Sequence, residues 1–185
     1  MGQRQIRRST IGFFALVLSL SASGALAQHK HGSHGADGTG HDMLNMPGLR
    51  GANASAAESA ELAVMFKGFE SFTRTVENLP NGIRTVTRTS DPMVMDALVN
   101  HVAGMMDRVW TGDDPQIIIQ SPTLDIFFAR GKSIVTDMDV IDDGIIVVQT
   151  SDDPEVIAAL HLHAAEVTAM AERGMDAVHD MMMNR

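Results

Sequence analysis

The chain has 185 residues, a formal net charge of −9 and no cysteine. The absence of cysteine excludes a disulfide framework and thiolate chemistry. The acidic charge argues against nucleic acid or an anionic membrane surface as a partner. The length is sufficient for one domain with a substantial core.

The first 27 residues predict a secretory signal peptide. A basic stretch containing Arg7-Arg8 precedes an apolar run at residues 11–20, and the small-residue motif Ala25-Leu26-Ala27 follows. That run is too short to anchor the chain in a bilayer. We expect cleavage near Ala27 and a periplasmic or secreted mature chain of net charge −12, without stable membrane insertion. Both Sec and twin-arginine export remain open.

Residues 28–54 are predicted to form a disordered, histidine-rich arm. Gly, Ser and His dominate the segment, and apolar periodicity is missing. The irregular spacing of its imidazoles predicts loose, pH-dependent capture of Cu(II) or Zn(II). A solvated linker without metal is the alternative. The candidate ligands are His29, His31, His34 and His41.

Residues 55–112 predict a unit of helix, hairpin and helix. A segment rich in helix formers begins near Ser55. Two β-branched segments flank Pro80-Asn81-Gly82, which is a strong hairpin signal. Asp91 is the expected N-cap of the second helix, with Pro92 at its first position, and this helix ends at Gly112.

The second half repeats this pattern at an offset of 62 residues. We assign residues 113–126 to a linker, residues 127–174 to a second unit and residues 175–185 to a tail helix. The offset aligns Gly82 with Gly144, Pro92 with Pro154, Leu98 with Leu160, His101 with His163, and Gly112 with Gly174.

The predicted fold class is α+β. Two α-β-β-α units would contribute their hairpins to a four-stranded, mostly antiparallel sheet with the helices on one face. Because a single unit cannot bury its own apolar face, we expect the two to pack about a pseudo-twofold axis.

The doubled pattern resembles a family of exported bacterial proteins. The resemblance covers roughly residues 66–180 and is carried by "LPNG" with "TSDP" and a histidine, then by "DG" with "TSDDPEV", a histidine and "GM". It implies the paired fold and export, and it implies no particular activity. The histidine-rich arm and the "DMMM" near the end depart from the family pattern.

The two repeat histidines are the central candidates for a site. His101 and His163 lie on or beside the apolar faces of the two long helices, whereas His161 is expected to point into solvent. Packing about a twofold axis can bring the two repeat imidazoles together. Two neighbouring imidazoles are costly when protonated, and a metal bound by both would remove this cost. The alternative is two core-edge histidines, each hydrogen-bonded to a carbonyl or carboxylate.

Methionines near these histidines favour copper among the metals. Imidazole with thioether is the soft ligand set that suits Cu(I). Packing of the methionines against the protein body is the alternative. The candidate soft partners are Met105 and Met170 on the long helices, and Met175, His179 and Met182 on one stripe of the tail helix.

These patterns favour a periplasmic copper-binding protein for copper tolerance or delivery. The first alternative is a metal-independent module that binds an envelope protein. The second is a small copper- or haem-dependent periplasmic enzyme, with haem held by His101 and His163. The chain has no phosphate loop, nucleophile elbow or zinc-protease helix, so no catalytic residue is predicted.

Overall fold

The computed structural model describes residues 46–184 and confirms the α+β fold class. Within this part of the chain, five α-helices accompany one four-stranded sheet. The elements are α1 (Ala56–Lys67), β1 (Phe72–Leu79), β2 (Gly82–Thr89), α2 (Pro92–Thr111), α3 (Thr123–Arg130), β3 (Val135–Ile141), β4 (Gly144–Thr150), α4 (Pro154–Arg173) and α5 (Met175–Met183).

The sheet has the order β1-β2-β4-β3, and every pairing is antiparallel. The hairpin registers agree under the offset of 62, since Leu79 pairs with Gly82 and Ile141 pairs with Gly144. In the central pairing, Thr85 lies opposite Val147. These two positions are themselves 62 residues apart, so the pseudo-twofold axis passes through this pair.

Glycine starts each central strand because the neighbouring backbone leaves no room for a side chain. A Cβ on Gly82 would lie 1.9 Å from the carbonyl oxygen of Gln149. A Cβ on Gly144 would lie 2.1 Å from the carbonyl oxygen of Thr87. The two glycines therefore let β2 and β4 approach closely at both ends of their pairing.

The long helices begin with matching caps. Asp91 accepts hydrogen bonds from the amides of Met93 (2.8 Å) and Val94 (3.3 Å) before α2. Asp153 accepts one from the amide of Glu155 (3.0 Å) before α4. Such side-chain acceptors satisfy amides that have no partner within the helix.

The core lies between the sheet and the helices, and both halves contribute to each part of it. Ile83 of the first hairpin packs with Phe127, Val156 and Leu160 of the second half. Conversely, Leu98 of α2 packs with Ile145 and Val147 of β4. Neither half holds a complete core, as expected for two units that must cover each other's apolar faces.

The structure corrects two predicted boundaries. Residues 46–54 were expected within a disordered arm, but Met46 and Leu49 are buried and Gly51 forms a bridge to Ile117. The helix that opens the second half begins at Thr123, inside the predicted linker. Met46 and Leu49 are single apolar side chains that pack without a regular period, so no sequence pattern indicated order there.

No helix in residues 46–184 is long and apolar enough to cross a membrane. The predicted signal peptide and the four arm histidines lie outside the described residues.

Candidate functional site

The repeat histidines occupy equivalent positions on the two long helices. His101 on α2 and His163 on α4 are each half-buried, and in both rings Nδ1 is buried. Neither Nδ1 has a hydrogen-bond partner among the described residues. A buried polar atom without a partner is costly, and an unseen ligand is one of its ordinary explanations.

The surroundings of His101 hold its imidazole in the neutral form. Burial is the main cause and lowers the pKa of His101 to about 4. The carboxylate of Glu58 opposes this shift, whereas the ring of His163 adds to it. A charge on His163 therefore makes protonation of His101 less favourable.

Glu58 is held beside this site by a two-pronged ion pair. Arg108 Nε donates to its Oε1 at 2.5 Å, and Arg108 Nη2 donates to its Oε2 at 3.0 Å. Glu58 also accepts a bond from the amide of Ser55 as part of a capping box that starts α1. The bond from Arg108 is the main reason that the pKa of Glu58 falls to about 2. This carboxylate therefore stays ionised.

A second carboxylate lies beside His163. Glu166 Oε2 is 3.8 Å from His163 Nδ1, beyond hydrogen-bond range, and is itself buried without a hydrogen bond. Its Oε1 accepts from Ser121 Oγ at 2.8 Å and Thr123 Oγ1 at 2.9 Å. Burial raises the pKa of Glu166, but His163 and the two hydroxyls together outweigh it and leave that pKa lowered. Phe127 and His163 pack in a T-shaped arrangement with ring centroids 5.3 Å apart.

The environment leaves room beside His101. Gly104 lies one turn further along the same face of α2, and a Cβ on it would meet no atom within 4 Å. However, no group of three or more His, Cys, Asp or Glu side chains in residues 46–184 is arranged to hold a metal ion. Each long helix can therefore supply one imidazole nitrogen, and this part of the chain does not present the larger ligand set typical of zinc.

The predicted thioether ligands fall into two groups. Met105 on α2 and Met170 on α4 are half-buried on the helices that carry the two histidines. Met175 and Met182 are half-buried on α5, where His179 is exposed. The fully buried side chains of α5 are instead Ala177 and Val178, so the predicted tail stripe is not its main packing face.

The prediction that His161 points into solvent is wrong. Its ring is half-buried, and Nε2 lies 2.8 Å from the carbonyl oxygen of Gly82 and 3.2 Å from that of Leu79. Because α4 crosses the β1–β2 turn, a side chain off its apolar face still meets protein. The imidazole donates to these carbonyls and fastens α4 to the turn.

Sequence reasoning also missed the two carboxylates of the site. Glu58 was identifiable as the third helical residue after Ser55, in a capping-box pattern. Glu166 lies three residues after His163, a spacing that places both on one helix face. Arg108 had no such signal, because its partner is fifty residues away in the chain.

Comparisons with protein-family models, with curated proteins and with solved structures gave no match to this chain.

Proposed function

We propose that this protein binds Cu(I) in the periplasm between His101 and His163, in the service of copper tolerance or delivery. One observation carries the proposal. The two imidazoles stand at equivalent positions on the two long helices, and each has a buried Nδ1 without a hydrogen-bond partner in the described structure. An ion that binds both nitrogens would satisfy two buried polar atoms at once.

The state of the ligands suits a metal. Only a neutral imidazole can bind one, and the low pKa of His101 keeps it neutral at every pH above about 4. In the described residues, no group of three or more His, Cys, Asp or Glu side chains is arranged to hold a metal ion. This favours a soft ion of low coordination number over zinc. Met105, one turn beyond His101, offers a thioether as a further soft ligand.

The remaining candidate ligands have auxiliary roles in this proposal. The predicted signal peptide delivers the chain to an oxidising compartment, where a site without thiols is not lost to disulfide formation. His29, His31, His34 and His41 would collect ions from the medium. Met170, Met175, His179 and Met182 would supply further soft contacts on α4 and α5.

The test is a competition titration of the mature chain with Cu(I) against a chromogenic chelator, under reducing, oxygen-free conditions. We compare the parent chain with His101→Ala/His163→Ala, each with and without residues 28–45. Met183→Ala serves as the control, since it removes an exposed thioether that has no role in the proposal. We expect the double variant to bind Cu(I) at least tenfold more weakly and the control to match the parent chain.

A double variant that retains the parent affinity in the chain lacking residues 28–45 would contradict the central site. Circular dichroism on each variant verifies that the fold is intact. A loss of binding seen only on deletion of residues 28–45 would assign copper to the arm alone and refute the proposal.

A further inference from the structure

Arg74 is a half-buried cation without a carboxylate partner in residues 46–184. It lies on the helix-facing side of β1, and its Nη1 donates to Thr87 Oγ1 at 2.5 Å across the hairpin. Its Nε is buried and has no hydrogen-bond partner in the described structure. Burial lowers the pKa of Arg74 to about 10, which still leaves the guanidinium charged. A partly desolvated charge of this kind is stabilised when an anion meets it.

The second hairpin shows that this position needs no charge for folding. The offset of 62 aligns Arg74 with Thr136, and Thr87 with Gln149. Gln149 Nε2 donates to Thr136 Oγ1 at 3.3 Å, so the same cross-strand bond is made there by neutral side chains. The guanidinium of the first hairpin is therefore an addition to the shared framework, and it calls for a separate explanation.

Arg74 opens onto a surface pocket of about 550 Å³, a size typical of sites for small molecules. The pocket lies between β1, the short turn before it and the last turns of α4. Its walls combine aromatic and small apolar side chains with two exposed carboxylates. They consist of Phe69, Glu70, Phe72, Thr73, Arg74, Thr168, Ala171 and Glu172.

The charges of this pocket select the class of ligand. A simple anion would meet Arg74 but also the carboxylates of Glu70 and Glu172, whereas a simple cation would meet the half-buried guanidinium. A zwitterion satisfies both signs. The carboxyl end of α4 adds partial negative charge on the Glu172 side, which favours an ammonium group there.

We propose that this pocket binds a free α-amino acid with an apolar side chain. The carboxylate pairs with Arg74 in the bidentate geometry that guanidinium favours. The ammonium group lies toward Glu70 and Glu172, and the apolar side chain packs against Phe69 and Phe72. The pocket is lined by none of the residues of the histidine site, so it stands independently of copper binding.

The first experiment titrates the mature chain with three molecules of nearly equal shape by isothermal calorimetry. Leucine carries both charges, 4-methylpentanoate lacks the ammonium group, and isoamylamine lacks the carboxylate. We expect leucine to bind, and each analogue to bind at least tenfold more weakly. Phenylalanine is the second zwitterionic probe. Failure of both amino acids to bind at millimolar concentration would overturn the proposal, and so would equal binding of leucine and isoamylamine.

The second experiment uses Arg74→Thr/Thr87→Gln, which copies the neutral pair of the second hairpin. We expect this variant to fold with an unchanged or higher thermal midpoint and to bind leucine at least tenfold more weakly. Arg74→Gln provides the same test should the double variant not fold. Arg84→Gln, an exposed arginine on the other face of β2, is the matched control and leaves leucine affinity unchanged.

The variant Glu70→Gln/Glu172→Gln distinguishes the contribution of the ammonium group from that of the ligand's carboxylate. It should weaken the binding of leucine but not that of 4-methylpentanoate, which has no ammonium group. Unchanged leucine affinity in this variant, or in both Arg74 variants, would refute the assigned ligand.

Discussion

His101 is the residue whose titration should be visible in the stability of the whole protein. Its folded pKa of about 4 lies below the ordinary value of 6.5, because burial disfavours the charged ring. Between these two values the unfolded chain binds a proton that the folded chain does not. The contribution of His101 to stability is therefore complete above pH 6.5 and is lost as the pH falls toward 4.

We predict that the metal-free protein loses about 2 kcal/mol of unfolding free energy through His101 between pH 7.5 and pH 5. Glu58 does not contribute in this window, because both its folded value of about 2 and its ordinary value of 4.5 lie below it. Urea denaturation at the two pH values measures the difference. In His101→Gln, the difference in unfolding free energy between the two pH values should be smaller by most of the ~2 kcal/mol. If His101→Gln loses as much stability as the parent chain between these pH values, another group is responsible.

Single side chains join secondary-structure elements that are distant in the sequence. Arg108 on α2 binds Glu58 on α1, the side chain and carbonyl of Asp113, and the carbonyl of Asn53. It thereby connects α1, α2 and the segment before α1. His161 connects α4 to the first hairpin in a similar way.

We predict that Arg108→Ala lowers the free energy of unfolding by about 2 kcal/mol, since it leaves the partly buried Glu58 without its partner. The matched control is Arg173→Ala, which breaks an ion pair with Asp180 in which both side chains are about half exposed. Its effect should stay below about 0.5 kcal/mol. Chemical denaturation of both variants decides the point, and equal effects would contradict the assigned role of Arg108.

The elements and their order could be predicted from the sequence because their signals are local. Gly82 and Gly144 mark the turns, and Asp91-Pro92 marks a helix start, each through its own backbone geometry. The environments of Arg74 and His161 could not be predicted, because they depend on how α4 crosses β1. The pairing of Thr85 with Val147 likewise follows from tertiary packing, which fixes strand register.

At the scale of the whole molecule, the decisive feature is the shared core. Ile83 completes the packing of α3 and α4, while Ile145 and Val147 complete that of α2. Each half therefore exposes apolar surface when the other is removed. Separate stability of the halves would require a core that neither possesses.

We predict that residues 46–112 and residues 113–185, expressed separately, are each unfolded in solution. Mixed in equal amounts, they should associate and regain the helical circular dichroism and the thermal transition of the intact chain. A cooperative thermal transition in either isolated half would contradict this. The matched control is a chain cut by protease between residues 113 and 116, where the cleaved pieces should remain together on gel filtration.

A half-length chain that paired with its own copy would make the same β2–β4 contact about a true twofold axis. Joining the two copies in one chain removes the requirement that they stay identical, so each can specialise. Glu166 faces His163 where the first half has Gly104, and Arg74 is charged where the second half has the neutral Thr136. Divergence of this kind allows one symmetric framework to carry two different sites.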